Sequence, residues 1–124
     1  MLVATVLGTA VGYEREVRGK AAGLRTHALI AIGSAAFAAA SLYGFPGADL
    51  SRVASGVVTG VGFIGAGVIF HGRRESRGVE GLTTAASIWV TAGIGVAAGC
   101  GLYLLAAVVA VLTIVILELP RVRE

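Results

Sequence analysis

Charged positions cut this sequence into five apolar runs. The first is residues 1–13, "MLVATVLGTAVGY", followed by Leu24–Phe45, Val53–Phe70, Leu82–Ala98 and Leu102–Leu119. None alternates with period two, and the continuous apolar runs are too long for ordinary strands. A helix that spans a bilayer needs about 17–25 apolar residues, and the last four runs reach or approach that length. The pattern predicts an all-α membrane protein: a bundle of about five transmembrane helices. The first run is the short one, since thirteen residues of helix cover only about 20 Å of a hydrocarbon core near 30 Å. Either that helix continues into the charged stretch behind it, or a few upstream residues are missing; the missing start is the expectation.

The positions of the charges orient the bundle. Arg15, Arg18 and Lys20 lie in the first connection with Arg25 just beyond it, Arg73, Arg74 and Arg77 lie in the third, and Arg121 and Arg123 lie in the tail. If all five runs span, nine of the ten basic residues fall on one side, and Arg52 alone falls on the other. The positive-inside rule makes the basic side cytoplasmic, with the N-terminus outside and the C-terminus inside. Composition agrees: of 124 residues, 56% are hydrophobic and 14% charged, against roughly 25% charged in a soluble domain. The length allows one transmembrane domain. The net charge of +3 comes in short clusters without interleaved aromatic residues, so it reads as membrane-flanking charge and not as a nucleic-acid surface. Cys100 has no second thiol to pair with, and no cleavable signal peptide is apparent.

Residues 59–67, "TGVGFIGAG", contain Gly60-Val-Gly62-Phe-Ile-Gly65, a formal match to G-x-G-x-x-G. A dinucleotide loop needs a substantial helix after it, and only "AGVIF" remains before "HGRRESRG". "GYEREVRGK" fails as a phosphate loop by spacing and by the alanine after its lysine, so no nucleotide is expected. At 100° per residue Gly56, Gly60 and Gly67 share one helix face, while Gly62 and Gly65 cluster with Ala54 on the opposite one. Small residues let membrane helices approach closely. The third helix is therefore expected in the middle of the bundle, packed on both sides. The fourth repeats the pattern weakly with Ala85, Ala92, Gly93 and Gly99.

Most polar chemistry sits at the cytoplasmic ends. Glu14, Arg15, Glu16, Arg18, Lys20, Arg25, Thr26 and His27 fall within fourteen residues, and Arg77 precedes Thr83 and Thr84. A charge at the membrane boundary is costly unless paired, so Glu14 is expected to face Arg25 or Arg77. The alternative is that these side chains snorkel and anchor helix ends. Arg25, Thr26 and Thr83 are expected to converge, joining the first and third connections. On the other side Asp49 is placed to cap the third helix, with Arg52 in its first turn. The spans hold hydroxyls (Ser34, Ser41, Ser55, Thr59, Ser87, Thr91, Thr113) but no central carboxylate, and Glu118 lies too near the boundary to count. Neither a metal site nor a cofactor is expected, because magnesium takes oxygen ligands. His27 has no evident nucleophile or metal partner, although Ser34 shares its helix face; no enzymatic activity is expected.

Three stretches, "GYEREVRGKAAGLRTHALIAIGSAAF", "SRVASGVVTGVGFIGAGVIF" and "RGVEGLTTAASIWVTAGIGVAAGCGLY", resemble successive signatures of the MgtC/SapB family of bacterial inner-membrane proteins. "RGVEGLTT" departs from the common "RGLTT" by two extra residues. The resemblance implies a multi-pass domain, followed in many members by a cytoplasmic ACT-like domain; since the sequence stops at "LPRVRE", that domain is expected to be absent or to have been removed. It further implies adaptation to low magnesium and survival inside macrophages. The expected role is that of a regulator acting through membrane-protein partners, the F-type ATP synthase among them. The competing expectation is an ion or small-solute (magnesium-related) transporter or channel, in which Glu14, Arg25, His27 and Arg77 would form a gate or solute site. The lipid bilayer is the other partner, and surplus small-residue surface allows a homodimer.

Overall fold

The computed structural model describes residues 1–45, 47, 49, 51–74 and 78–120, with the side chains of 71–80 outside the description. Five helices follow one another: α1 (Leu2–Val17), α2 (Leu24–Gly44), α3 (Ser51–Arg74), α4 (Gly78–Gly99) and α5 (Tyr103–Leu117). No strand occurs among the described residues. The stretches Leu24–Gly44, Ser51–Phe70 and Gly81–Gly99 are long and apolar enough to cross a membrane. Large apolar side chains such as Leu2, Tyr43, Phe63 and Leu104 stand exposed, as a bundle with lipid for its outer solvent requires.

The helix α1 does not stop with its apolar run. It continues to Val17 and carries Glu14 and Arg15 inside its last turns. It ends where Gly19 takes φ 68°. There the Lys20 amide donates to the Arg15 carbonyl and the Gly19 amide to that of Glu16, both at 3.0 Å, the double closure that a left-handed glycine permits. The same device separates α4 from α5. Gly101 has φ 82°, and the amides of Leu102 and Gly101 return to Ala97 and Ala98 at 2.9 and 3.1 Å. Each turn reverses the chain within a few residues, so α1 lies beside α2 and α4 beside α5.

Backbone proximity sets the centre of the bundle. A Cβ built on Gly8 would stand 2.6 Å from the Ala31 Cβ, and one on Gly12 would stand 2.7 Å from the Leu24 Cα. From the other side, Gly95 and Gly99 press against the carbonyl oxygens of Ala31 and Ala35. Two glycine pairs at four-residue spacing thus clamp α2 between α1 and α4, the close approach that small residues allow in lipid. Ala4, Ala31, Ala35, Ile94, Ala98 and Ala106 fill the core around this clamp.

This corrects the expectation for the third helix. Only 11% of the spanning stretch of α3 is buried, against 61% for α4. A Cβ on Gly65 would touch Ala85 at 3.4 Å, but one on Gly56, Gly60, Gly62 or Gly67 would meet nothing within 4 Å. Helix α3 therefore lies at the edge, against α4 and lightly against α2, through Val57, Val61 and Ile88. Its glycines are numerous, yet their main face has no helix of this chain upon it.

Candidate functional site

The polar ends of α1, α2 and α4 and the far end of α5 come together. Arg15 and Glu14 are 3% and 8% exposed, so both enter the bundle instead of snorkelling outward. Arg15 Nη2 donates to Thr84 Oγ1 at 3.3 Å, tying α1 to α4. Its Nη1 lies 3.5 Å from Glu14 Oε1. Arg18, half exposed, brings Nε to 3.5 Å from Glu14 Oε2 and donates through Nη2 to both oxygens of Glu118 at 3.0 and 2.9 Å. Glu14 thus pairs with its own helix and not with Arg25. Arg77 lies outside the described residues.

The Glu14 carboxyl also faces Glu118, and as a carboxylate it accepts no hydrogen bond on either oxygen among the described residues. Burial, and then the neighbouring Glu118, push the Glu14 carboxyl above the ordinary carboxylate range. The hydrogen bonds from Arg18 hold that of Glu118 below it. One group favours the proton and the other favours the charge, because one is desolvated and the other is bound by a guanidinium.

His27 is fully buried. Its Nδ1 lies 2.9 Å from the Gly23 carbonyl oxygen and its Nε2 2.9 Å from Ser87 Oγ. With Nδ1–H donating to the carbonyl, Nε2 accepts from the serine hydroxyl. The same hydroxyl sits 2.7 Å from the Thr84 carbonyl, so one proton serves two acceptors. Thr91 Oγ1 in turn donates to the Ser87 carbonyl at 2.7 Å. These bonds pin α2 to α4 beneath the Arg15–Thr84 contact. Removing Ser87 Oγ leaves a buried imidazole without one partner, so Ser87→Ala should lower stability by about 1–3 kcal/mol. Ser55→Ala, on the open side of α3, should stay within about 0.5 kcal/mol. Thermal unfolding in detergent checks both.

Arg25 is exposed, and Thr26 and Thr83 are half-buried; the described hydrogen bonds between these segments run instead through Arg15–Thr84 and His27–Ser87. Lys20 is half-buried beside them and has its own interactions. At the opposite end Asp49 Oδ1 accepts from the Ser51 amide at 3.0 Å and the Ser51 hydroxyl at 2.8 Å, serving the first amide of α3, and Arg52 is exposed next to it. Among the described residues no three of His, Cys, Asp and Glu come together as metal ligands.

Sequence reasoning missed three partners. Ser87 is legible in hindsight, since Thr84, Ser87 and Thr91 at i, i+3 and i+7 define one polar helix face. Glu118 is the lone carboxylate between Leu82 and Leu119, but its juxtaposition with Arg18 needs the tertiary fold. Glu16, exposed, accepts the Leu24 amide at 3.1 Å and puts a negative charge at the start of α2, where the helix dipole favours one.

The MgtC family model matches residues 1–124. YhiD of Escherichia coli strain K12, whose name provisionally calls it a magnesium transporter, is 49% identical over 126 residues, covering 95% of this chain and 57% of YhiD. Protein MgtC of Salmonella typhimurium strain LT2 is 48% identical over 101 residues, covering 82% of this chain and 42% of that protein. Protein MgtC of Brucella abortus is 43% identical over 118 residues, covering 95% and 48%. The chain therefore spans about half the length of the curated relatives it matches. No solved structure matches it.

Proposed function

The chain belongs to the MgtC family, and from that premise we propose that it is a bacterial inner-membrane regulator of adaptation to low magnesium. In this reading its charged end faces the cytoplasm, and it acts without catalysis, by docking against other membrane proteins. The observation that carries the reading is the open face of α3. Gly56 and Gly60 have nothing within 4 Å of where a Cβ would stand, and the neighbouring Ser55 and Thr59 are exposed. Between α2 and α3 lies an apolar groove of 680 Å³ floored by Gly33, Gly56 and Gly60. A bare helix backbone flanked by hydroxyls is what a partner helix in lipid packs against and hydrogen-bonds to. Arg15, Thr84, His27 and Ser87, by contrast, make internal bonds that hold α1, α2 and α4 together.

A photo-crosslinker at Thr59 in native membranes should capture a partner membrane protein. Gly60→Leu should abolish that capture and growth at low magnesium while leaving the chain's unfolding transition within about 0.5 kcal/mol, because a Cβ there meets nothing within 4 Å and the groove beside it is open. Retention of both capture and growth would sink the proposal. The name of YhiD supports a second reading, transport of magnesium or another small solute. Saturable flux in liposomes that Glu14→Gln abolishes would put transport in place of regulation.

A further inference from the structure

A second groove opens between α1 and α5, with a volume of 850 Å³. It follows α1 from Thr5 to Glu14, about 14 Å at the rise of an α-helix. Val6, Ala10 and Ile114 make its walls apolar, and its charged end is formed by Glu14, Arg18 and Glu118. In a bilayer such a furrow holds an acyl chain along its length and a headgroup at its rim. Among the described residues, two carboxylates face one guanidinium on the groove side. Glu14, more than nine-tenths buried, has no hydrogen-bond donor on either oxygen among the described residues. Arg15 approaches it from the inner side at 3.5 Å and gives a hydrogen bond to Thr84. Arg18 bridges the two carboxylates, 3.5 Å from Glu14 and hydrogen-bonded to Glu118, and one described guanidinium against two acids leaves one negative charge in excess on the groove side.

We propose that the α1–α5 groove binds a membrane phospholipid with a primary-ammonium headgroup. The ammonium donates to Glu14 and Glu118, the phosphate meets Arg18, and one acyl chain lies between the helices. A primary ammonium brings three N–H donors on one compact charge, which is what the bare Glu14 oxygens lack. A quaternary ammonium carries the charge without the donors, and an anionic headgroup would be repelled by both acids. Arg18 and Glu118 are each about half exposed, at 50% and 47%, so the rim is open to a headgroup while its inner carboxylate stays dry. This site stands apart from the face of α3 and does not depend on a protein partner there.

The test is native mass spectrometry of the intact chain released from detergent micelles. The micelles carry equal amounts of phosphatidylethanolamine, phosphatidylcholine and phosphatidylglycerol with the same acyl chains. Phosphatidylethanolamine adducts should exceed each of the others by about fivefold or more. Glu14→Gln should bring them down to the level of phosphatidylcholine. Glu118→Gln should do the same, and because Glu118 is at the surface it decides the matter if the first variant does not fold. Equal retention of the three lipids by the wild-type chain overturns the proposal. So does a preference that survives in both variants, which would show that neither carboxylate sets it.

Discussion

Gly95→Ala will loosen the bundle, and Gly95→Leu will take it apart. The new Cβ meets the Ala31 carbonyl oxygen and stands 2.8 Å from the Ser34 Cβ and 3.1 Å from the Ala31 carbonyl carbon. Two of these atoms are backbone, so no rotamer change relieves the contact and α2 and α4 must separate. Overpacking of this kind costs about 1–3 kcal/mol, and more where neither side can move. The alanine variant should therefore lose about 2 kcal/mol in denaturant titration, and the leucine variant should yield no cooperative transition. Gly99→Ala, against the Ala35 carbonyl one turn on, should behave as Gly95→Ala does. Gly56→Ala and Gly60→Ala should be silent in the same assay. A Gly95→Ala protein as stable as wild type would mean that the backbones of α2 and α4 are not in contact.

That contrast explains what the sequence did and did not disclose. The number, order and apolar character of the helices were legible, because charges punctuate the runs and lipid demands uninterrupted apolar surface. The close-packed positions were not. Glycine density drew attention to Gly56, Gly60, Gly62, Gly65 and Gly67, whereas the contacts fall on the sparser pairs Gly8 and Gly12, and Gly95 and Gly99. A small residue permits close approach but does not say whether another helix arrives. Density in excess of what the chain itself uses is better read as surface offered outward. The charged cluster shows the same limit. Its residue types and its end of the bundle were readable from position. Its pairing was not: Arg15 turns inward to Thr84, and Arg18 reaches across to Glu118, because α1 runs four residues past its apolar stretch.

Arg15→Met will cost about 3 kcal/mol, and Glu14→Gln in the same chain will restore most of it. Arg15 and Glu14 are 3% and 8% exposed, and their side chains lie 3.5 Å apart. Methionine fills much of the same volume but leaves Glu14 buried with only the half-exposed Arg18 nearby, and an uncompensated buried charge is what makes breaking such a pair expensive. Neutralising both partners removes the penalty along with the attraction, so the double-mutant cycle should show a coupling of at least about 1 kcal/mol. Arg18→Met, which removes a surface pair, should cost no more than about 1 kcal/mol. The pH dependence carries a matching signature. Burial raises the folded-state pKa of Glu14 above its unfolded value, so the preference for the protonated fold is fully present below an ordinary glutamate pKa of about 4.3. It is lost as pH rises through the elevated folded value. Losing Arg15 removes an attraction that holds the carboxyl down. The single variant should therefore approach wild-type stability at acid pH and fall away from it towards neutrality. The Arg15→Met/Glu14→Gln protein should lack that slope. A deficit in Arg15→Met that is the same at every pH would show that its cost is lost packing and the Thr84 bond, with no stranded charge.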